Sequence, residues 1–538
     1  MLFDPVPPAD AVPGAHETLT GFPRPDVKAR TNMPTEDCCL SLTREEFRRL
    51  AGDYTLIPVY REILGDLHTP VSAFHKLDDG RFAYLLESVE GGESVGRYSF
   101  LGGAPSITLI ARGREVSIDR QGAVDTRTLA DGEDPLHVLK ALMAEYRVAR
   151  VPGLPKFYGG AVGYFSYDTV RYFEELPDAP PDDLHVPDCY FVFTEACIIF
   201  DHVRHRLLLV CNAAVQSDAD AAYDRAARKI DDLVAQLQAP ETRPLGVLPQ
   251  GASPLLPITS NMTHDQFLQM VDAGKEYIAA GDIIQVVLSQ RLSCPLSPAL
   301  QAQPFNLYRA LRYLNPSPYM YYLSYGDVKI IGSSPERLVS EEAGTVITRP
   351  IAGTRKRGAS AQEDAELAAD MLADTKERAE HIMLVDLGRN DLGRVCAFNS
   401  VEVDELMLVE NYSHVMHMVS NVRGALRPEF DHFDVLRACF PAGTVSGAPK
   451  IRAMQIIDEL EPTRRGPYAG AIGYFSYEGN MDTAITIRTI VVKDGTAYVQ
   501  AGAGIVADSV PESEYQETLN KARAMLKALE MAEHGLCG

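Results

Sequence analysis

The sequence lacks several features that mark common classes of protein. Its nine cysteines are scattered over 538 residues without a C-x-x-C pair, so no disulfide framework is indicated. No apolar run reaches the length of a transmembrane helix. The N-terminus has no basic region followed by an apolar core, as a secretory signal would. These absences predict a cytoplasmic protein with reduced thiols and no membrane partner.

Basic residues are scarce relative to acidic ones. The chain has 51 Lys and Arg residues against 74 Asp and Glu residues, for a formal net charge of −23. Nucleic acids and anionic membranes would be repelled, so neither is expected as a partner. A Walker A sequence and a Rossmann glycine fingerprint are both absent, which argues against chemistry driven by ATP or NAD. An anionic substrate must therefore be held by local basic side chains, a metal ion or backbone N–H groups.

Composition divides the chain into an arm and two larger parts. Residues 1–40 are rich in Pro, Ala and Asp and show no period, which predicts a disordered or loosely attached arm. Residues 238–257 form the best linker pattern, rich in Pro and Gly. This linker separates an N-terminal domain over 41–240 from a C-terminal domain over 258–530, and helix and strand patterns alternate in both.

One segment occurs twice in the chain. GGAVGYFSYD (159–168) and AGAIGYFSYEG (469–479) nearly repeat each other. Two equivalent strands that pack closely at glycine would explain the repeat. It also favours a duplicated or intertwined architecture, in which each half contributes a matching layer to one large structure.

Two Glu-x-x-Glu pairs lie far apart in the sequence. DTKERAEHIMLVDLGRNDL (374–392) predicts a helix with Glu377 and Glu380 on one face, and PESEYQETLNKARA (511–524) carries Glu514 and Glu517 in the same way. If the two helices face each other, the carboxylates repel unless a cation lies between them, and oxygen ligands suit Mg²⁺. The alternative is that each pair belongs to a solvated helix face.

Three further segments carry groups suited to a small anionic substrate. PIAGTRKRG (350–358) combines glycine with basic side chains, and AGAGIV (501–506) offers successive backbone N–H groups as a candidate anion nest. ITIRTI (485–490) places Arg488 in a strand pattern. Because Arg is rarely buried without a partner, Arg488 should face an acid or an anionic ligand. Each glycine segment is equally compatible with an ordinary turn.

Two segments hold acid or base candidates. YSHVMHMVS (412–420) contains His414 and His417 in an apolar run. A histidine there is either a hydrogen-bonded core residue or an acid/base group near neutral pH. GSSPER (332–337) places Glu336 after a proline turn, where a lone carboxylate is usually a surface group.

Six segments together resemble one known family, the chorismate-utilising enzymes. They are AEHIMLVDLGRNDLGRV, YSHVMHMVS, GTVSGAPKIRAM, GPYAGAIGYFS, AITIRT and QAGAGIVADSVPESEYQETLNKARA. Within the family the chain most resembles the anthranilate synthase large subunits, densely from about residue 260 to 530 and more loosely over 50–240. The resemblance implies an α+β fold of two intertwined halves, with large antiparallel sheets flanked by helices. It also implies that 258–530 is the chorismate-binding catalytic domain.

The resemblance assigns roles to matching residues. It implies that Mg²⁺ is held by Glu380 and Glu517, with Glu377 and Glu514 as direct or water-mediated ligands, and that it binds the ring carboxylate of chorismate. Arg488 and Tyr468 would grip the other carboxylate. The remaining pocket residues are Gly353, Thr354, Gly502, Ala503, Gly504 and Lys521. The residues placed at the chemistry are His417 as acid/base or orienting group, Glu336 as the acid for the departing hydroxyl, Gln285 and Thr444.

Two positions separate this chain from relatives that use chorismate differently. The implied reaction adds ammonia to ring C2 as the C4 hydroxyl leaves, and elimination of pyruvate then gives anthranilate. Isochorismate and salicylate synthases carry a water-activating lysine where this chain has Gln285. Aminodeoxychorismate synthases carry a nucleophilic lysine where this chain has Ala352. Amination at C2 followed by pyruvate loss is therefore the favoured reaction.

The resemblance also implies partners and regulation. Glutaminases need a Cys nucleophile on a tight turn, and the closest segment here is the terminal GLCG. A separate glutamine amidotransferase subunit is therefore expected to supply ammonia, in a heterotetramer. LLES places Ser88, and PYM places Pro318, Tyr319 and Met320, at the family's tryptophan feedback site. Ordinary turn-and-strand packing would also explain PYM.

Two other functions stay open at this point. The nearest enzyme alternative is an aminodeoxychorismate synthase large subunit, which would release a different product. The chain could instead be a chorismate- or tryptophan-binding regulatory subunit without turnover. Retention of both Glu pairs, His417 and Arg488 argues against the second alternative.

Overall fold

The computed structural model describes residues 40–89, 96–240, 246, 256–412, 415–534 and 536. Nearly all of the predicted arm (1–40), most of the predicted linker (238–257) and His414 lie outside the described residues. The domain boundaries at 41–240 and 258–530 stay predictions, and these ranges are called the N-terminal and C-terminal halves below. No helix in the described part of the chain is long and apolar enough to span a membrane.

The described residues contain two twelve-stranded sheets. The first sheet comprises β1 Leu56–Leu64, β2 Phe82–Glu87, β3 Tyr98–Gly103, β9 Ala196–Asp201, β10 Arg206–Ala214, β11 Thr259–Ser260, β12 Gln285–Pro295, β13 Tyr319–Tyr325, β14 Val328–Ser334, β20 Gly447–Ala448, β23 Thr489–Lys493 and β24 Thr496–Ile505. The second comprises β4 Pro105–Arg112, β5 Glu115–Arg120, β6 Ala123–Thr128, β7 Gly160–Phe165, β8 Cys189–Thr194, β15 Arg337–Glu342, β16 Thr345–Thr348, β17 Ile351–Lys356, β18 Glu402–Asn411, β19 Val415–Ala425, β21 Ala471–Ser476 and β22 Met481–Ile485.

Helices pack against both sheets. They are α1 Arg44–Leu50, α2 Pro70–Leu77, α3 Pro135–Ala144, α4 Ala219–Gln238, α5 His264–Ala280, α6 Pro298–Ala302, α7 Phe305–Leu314, α8 Ala361–Ala373, α9 Thr375–Gly393, α10 His432–Cys439, α11 Lys450–Leu460 and α12 Pro511–His534. Local caps define the ends of helix α5: Thr263 forms a capping box before it, and Gly281 ends it in the left-handed region. Helix α4 packs on β10, α12 packs on β24, and α9 packs on β17 and β19.

Each sheet is built by both halves of the chain. The first has the order β1-β10-β9-β3-β2-β13-β14-β23-β24-β12-β11, and the second has the order β17-β19-β16-β15-β22-β21-β7-β8-β4-β5-β6. Strand β20 pairs with β12 and β18 with β19 beside these paths. The halves meet where β2 pairs with β13 and where β7 pairs with β21, both antiparallel. The predicted architecture of intertwined halves on large antiparallel sheets is therefore confirmed.

The repeated segment forms the junction in the second sheet. Strands β7 and β21 carry the two copies, and Gly163 lies directly opposite Gly473, its equivalent in the repeat. A Cβ at Gly163 would collide with the carbonyl oxygen of Tyr190, and a Cβ at Gly473 would collide with that of Asp482. Each glycine therefore lets a neighbouring strand approach closely, and the two copies are related by a local twofold arrangement.

A pair of reciprocal salt bridges follows the same symmetry. Asp134 caps α3 and binds Arg437 of α10, with Nη2 2.8 Å from Oδ2. Asp431 caps α10 and binds Lys140 of α3, with Nζ 2.6 Å from Oδ2. Each helix thus presents a capping carboxylate to a cation on its counterpart. The sequence repeat predicted matching layers, and these contacts extend the match to the helices.

In each half the chain changes sheet at two equivalent places, and in the C-terminal half it also passes through the short β20 of the first sheet between β19 and β21. It leaves the first sheet at Ala104, between β3 and β4, and again at Pro335–Glu336, between β14 and β15. It returns at Glu195, between β8 and β9, and at 486–488, between β22 and β23. The sequence placed Arg488 within a strand, and this was wrong: Arg488 lies in the crossover with φ +52°. These crossovers position the candidate site.

Candidate active site

Glu336 lies on the crossover between β14 and β15 and is buried, with 7% of its surface exposed. Burial raises the pKa of its carboxyl to about 8, although the Thr444 hydroxyl, the Ile351 N–H and the charge of Lys521 oppose the rise. A carboxyl with this pKa is mostly protonated at neutral pH and can donate a proton. The usual expectation of a surface carboxylate after a proline turn is wrong for this residue.

His417 lies on β19 opposite Thr354 of β17. Its Nδ1 is 3.0 Å from the Gly353 carbonyl oxygen and 3.1 Å from the Thr354 hydroxyl. Because a carbonyl only accepts, Nδ1 carries the hydrogen and Nε2 keeps a lone pair. Burial is the main cause that lowers the pKa of His417, which favours the neutral ring.

Most of the glycine-bearing segment 350–358 forms strand β17. A bulge between Ala352 and Thr354 places Gly353 at φ +68°, a conformation that favours glycine. Two of the three basic side chains of this segment are paired with acidic residues. Arg355 binds Glu377 and Asp370, and Arg357 binds Asp364.

Arg488 and Tyr468 adjoin strand β24 and helix α12. Arg488 Nη1 donates to the Lys521 carbonyl at 2.6 Å, and among the described residues it forms no ion pair. Burial lowers the pKa of Arg488, so an anionic ligand would relieve the cost of its charge. Tyr468 is 8% exposed, and burial raises its pKa to about 12. The hydroxyl therefore stays protonated as a hydrogen-bond donor.

The glycines of β24 act through their missing side chains. The proposed anion nest at 502–504 is wrong, because these residues form an extended strand paired with β12, and a strand turns successive N–H groups to opposite edges. A Cβ at Gly502 would lie 2.8 Å from Tyr468 Oη, and one at Gly504 would lie 2.7 Å from Gln285 Nε2. Gly502 and Gly504 thus leave room on one face of β24, with Ala503 on the other. Lys521 Nζ donates to the Gly502 carbonyl at 3.1 Å.

The four glutamates come from α9 and α12 as expected. Glu380 accepts from Gln285 Nε2 at 3.3 Å, and burial and the neighbouring Glu517 raise its pKa. Burial and Glu517 also raise the pKa of Glu514. Glu517 Oε1 lies 2.7 Å from Lys521 Nζ. Carboxylates of the two helices therefore act on one another across the site.

The carboxylate oxygens of the four glutamates suit a hard cation, although they do not converge on one point in this structure. Within the ranges described, no three side chains of His, Cys, Asp or Glu converge closely enough to form a metal site. One oxygen of Glu377 pairs with Arg355, whereas its buried Oε2 has no hydrogen-bond partner among the described residues. An orphaned buried carboxylate oxygen and two carboxyls with raised pKa are what a divalent cation would stabilise.

The residues expected at a feedback site also come together. Met320 lies opposite Glu87 where β13 pairs with β2, next to Ser88. Tyr319 follows Pro318 and receives a hydrogen bond from Arg337 Nε at 2.6 Å. This cluster lies at the junction between the halves in the first sheet.

The sequence did not indicate two arginines, Arg355 and Arg465, that form ion pairs with glutamates of the site and its adjoining loop. Arg355 pairs with Glu377, as described above. Arg465 is 2% exposed and pairs with Glu461, with Nη2 2.6 Å from Oε1. The signal available for Arg465 was Glu461, four residues before it, at the spacing of a local ion pair. The contacts of Arg465 with the Val445 and Val287 carbonyls lie on other elements and could not be read from local sequence.

Comparison with known proteins gives a consistent result. A family profile described as chorismate binding enzyme matches residues 84–527. The chain is 50% identical over 495 residues to anthranilate synthase component 1 of Aquifex aeolicus, covering 92% of this chain and 99% of that protein. It is 49% identical over 494 residues to anthranilate synthase component 1 of Acetivibrio thermocellus, covering 91% and 98%.

A solved structure agrees with the sequence relatives. The crystal structure of anthranilate synthase component I from Streptococcus pneumoniae is similar with a TM-score of 0.70 at 39% identity, covering 86% of this chain and 99% of that chain. The resemblance found in the sequence is confirmed. The chain belongs to the chorismate binding enzymes and, within them, to the family of anthranilate synthase component 1 proteins.

Proposed function

We propose that this chain converts chorismate and ammonia to anthranilate and pyruvate, the first committed step of tryptophan biosynthesis. The observation that carries the proposal is the buried Glu336, which is protonated at neutral pH because its pKa is about 8. Glu336 and Arg488 both adjoin Lys521, so a proton donor and an anion-binding group share one site. The names of relatives about half identical over most of the chain support anthranilate as the product.

The first step replaces the C4 hydroxyl of chorismate. Ammonia bonds to ring C2, the ring double bonds shift, and the hydroxyl leaves as water after taking the proton of Glu336. Arg488 and Tyr468 hold the carboxylate on the enolpyruvyl side in this step. Gln285 lies where a base would activate water, and a side-chain amide cannot take that proton, so ammonia is the favoured nucleophile.

The second step eliminates pyruvate and makes the ring aromatic. The proton on C2 must be removed as the enolpyruvyl C–O bond breaks. His417 suits this role because its Nδ1–H is committed to the Gly353 carbonyl, which leaves the Nε2 lone pair to accept a proton. Its lowered pKa keeps that lone pair available at neutral pH.

Magnesium is part of the proposal. Glu380 and Glu517 would hold Mg²⁺, with Glu377 and Glu514 binding directly or through water. When bound, the ion neutralises and orients the ring carboxylate of chorismate. Glu517 would then bind both the ion and Lys521, and Glu377 would bind both the ion and Arg355.

A separate glutaminase would supply the ammonia, in a heterotetramer. Six cysteines lie in the described part of the chain, and all are buried free thiols. Burial raises the pKa of each of them, whereas a nucleophilic thiol needs a lowered pKa. The buried free thiols also agree with a cytoplasmic location.

We propose tryptophan as the inhibitor bound by Ser88, Pro318, Tyr319 and Met320.

The test is anthranilate fluorescence from the purified chain with chorismate, ammonium sulfate and Mg²⁺. We expect product that disappears on chelation, returns with Mg²⁺ and falls with tryptophan. Glu517→Gln should raise the Mg²⁺ requirement by about tenfold or more. Glu512→Gln is the matched control, because Glu512 lies on the same helix but contacts His264 instead.

The alternatives predict different outcomes of this assay. Chorismate consumption without anthranilate would favour an aminodeoxychorismate synthase. Tryptophan binding without any chorismate consumption would favour a regulatory subunit. Product that forms equally well after complete chelation would remove the metal from the mechanism.

A further inference from the structure

The loop that carries Tyr468 is held by the N-terminal half of the chain. This loop runs from Glu461, after α11, to Gly470, before β21. The Tyr167 N–H donates to the Gly466 carbonyl at 2.7 Å. The Gly466 N–H donates to Asp168 Oδ2 at 3.0 Å. Both backbone polar groups of Gly466 are therefore satisfied by two consecutive residues of the N-terminal half.

A buried ion network fixes the same attachment. Asp168 is 4% exposed, and Arg171 Nε lies 3.3 Å from its Oδ1. The other nitrogens of Arg171 each donate to Asp458 of α11 at 2.7 Å. Arg171 therefore ties the helix before the loop to the carboxylate that binds the loop, and bidentate geometry makes this contact directional.

Arg465 connects this attachment to the substrate site. Its guanidinium lies 4.7 Å from the ring centre of Tyr167 and 5.5 Å from that of Tyr468, within the range of cation–π attraction. It also donates to Glu461 and to the Val445 and Val287 carbonyls. The cation is thus immobilised between one tyrosine of each half.

The loop conformation depends on these contacts. Gly466 has φ +58°, and Ala469 has φ +64°, a region that an alanine adopts only when its surroundings require it. The Ala469 N–H donates to the Thr486 carbonyl at 2.9 Å, within the crossover that ends at Arg488. The loop therefore sets the position of Tyr468 relative to Arg488.

We infer that Asp168, Tyr167 and Arg465 are positioning residues that place Tyr468 in the substrate pocket, so that the N-terminal half is a structural part of the active site. The inference rests on the proposed function, because it takes Tyr468 to contact the carboxylate of chorismate. Asp168 and Tyr167 come from the first copy of the repeated segment, and they hold the chain just before the second copy.

The test is a double-mutant cycle between Asp168 and Tyr468 in the full chain. Asp168→Asn should raise the KM for chorismate by about tenfold and change kcat by less than about threefold, because a misplaced Tyr468 weakens binding without touching the breaking bonds. In a Tyr468→Phe background the same change should have no further effect on KM. Tyr167→Leu, which keeps the N–H but removes the ring, should give a smaller rise.

Asp201→Asn is the matched control. Asp201 is also a buried carboxylate of the N-terminal half, but it binds Arg97 and Arg206 rather than any residue of the Tyr468 loop. We expect this variant to lose stability without a change in KM. An equal rise in KM for Asp201→Asn and Asp168→Asn would show a general loss of structure and overturn the inference.

Calorimetric Kd values for chorismate without ammonia separate this inference from the proposed reaction. A tenfold weaker Kd in Asp168→Asn supports positioning whatever product the enzyme makes. If anthranilate is not formed by the unmodified chain but the Kd shift is present, the proposed reaction fails and the positioning role stands. If Tyr468→Phe changes neither KM nor Kd, or if the effects of the two substitutions simply multiply, the positioning role is wrong.

Discussion

The two halves of the chain share a topology but differ where the chain changes sheet. In the C-terminal half the crossovers from β14 to β15 and from β22 to β23 carry Glu336 and Arg488. In the N-terminal half the corresponding crossovers carry Ala104 and Glu195. The fold thus brings two positions close to the inter-sheet space in each half, but only one half has an acid and an Arg there that suit chemistry on an anion.

The halves also differ in how much room they leave. Tyr158 and Tyr468 immediately precede the two copies of the repeated segment. Tyr158 is 0% exposed and packs in an apolar cluster, and Asn212 of β10 fills the adjacent space by donating to its carbonyl. Tyr468 instead adjoins Gly502 of β24. The missing side chain of Gly502 in β24 thus leaves space beside Tyr468, whereas Asn212 of β10 fills the equivalent space beside Tyr158.

Other residues of the candidate site lie on an insertion that only the C-terminal half contains. In the N-terminal half β5 joins β6 by a short turn, whereas in the C-terminal half β17, α8, α9 and β18 intervene between β16 and β19. Thr354, Glu377 and Glu380 all lie in this insertion. The C-terminal half therefore differs from the N-terminal half by the inserted elements and by the glycines of β24. These two differences provide the groups and the space of the candidate site.

The largest expected effect concerns the acid that only the C-terminal crossover carries. Glu336→Gln should lower kcat by about 10³-fold, in the range for loss of a general acid. Because its folded pKa is about 8, the activity that depends on Glu336 should be present below pH 8 and lost as the pH rises through that value. The measurement is kcat against pH at a fixed concentration of unprotonated ammonia.

Glu341→Gln is the control for this substitution. Glu341 is also buried and has a pKa raised by burial, but it accepts from the Gly344 N–H in a turn. We expect it to leave kcat and the alkaline limb unchanged. An alkaline limb that survives in Glu336→Gln would assign that titration to another group.

The next effect concerns the glycines that open the pocket. Gly502→Ala should lower kcat/KM by about 10²-fold, as expected for a displacement near one ångström in a catalytic site. The new Cβ would meet the Leu288 carbonyl oxygen at 2.9 Å, and a backbone atom cannot move aside. Gly504→Ala should cost less, because it meets the mobile end of Gln285.

Gly393→Ala tests whether the loss in Gly502→Ala comes from closure of the pocket. Nothing lies within 4 Å of a Cβ at Gly393, so steady-state kinetics should be unaffected. If Gly502→Ala and Gly504→Ala behave as Gly393→Ala does, the missing side chains do not distinguish the halves.

The smallest effect concerns the symmetric salt bridges, which act on stability. Arg437→Ala should lower the free energy of unfolding by about 2 kcal/mol, because it leaves the buried Asp134 without its cation. Lys140→Ala should cost under about 1 kcal/mol, since its bridge to Asp431 is largely exposed. Urea unfolding measures both. Equal losses would mean that burial does not separate the two bridges.

Local patterns predicted much of the fold. The helix with Glu377 and Glu380 starts after Asp374 and ends at Gly393, close to the range read from the sequence. A tight turn at Gly326–Asp327 likewise joins β13 to β14. These features depend on residues close in sequence, such as caps, turn residues and apolar periods, so the sequence expresses them directly.

The site was predicted less completely. The resemblance named Glu336, His417, Arg488 and the Glu pairs, and the structure brings them to one region. It did not indicate that Arg355 binds Glu377 or that the glycines of β24 act by leaving space. These facts depend on partners that are distant in the chain, such as Glu377, 22 residues from Arg355, and Gln285 beside Gly504. Local periodicity carries no information about such partners.

By itself the sequence determined the family, the helices and strands, and the duplication visible in its repeated segment. Only the tertiary structure decided that the repeats pair at Gly163 and Gly473, that the catalytic candidates lie on crossovers between sheets, and that the N-terminal half holds the loop of Tyr468. The physical reason is the range of the interactions. Caps and periods act within a few residues, whereas burial of Glu336 and immobilisation of Arg465 arise only when distant strands pack together.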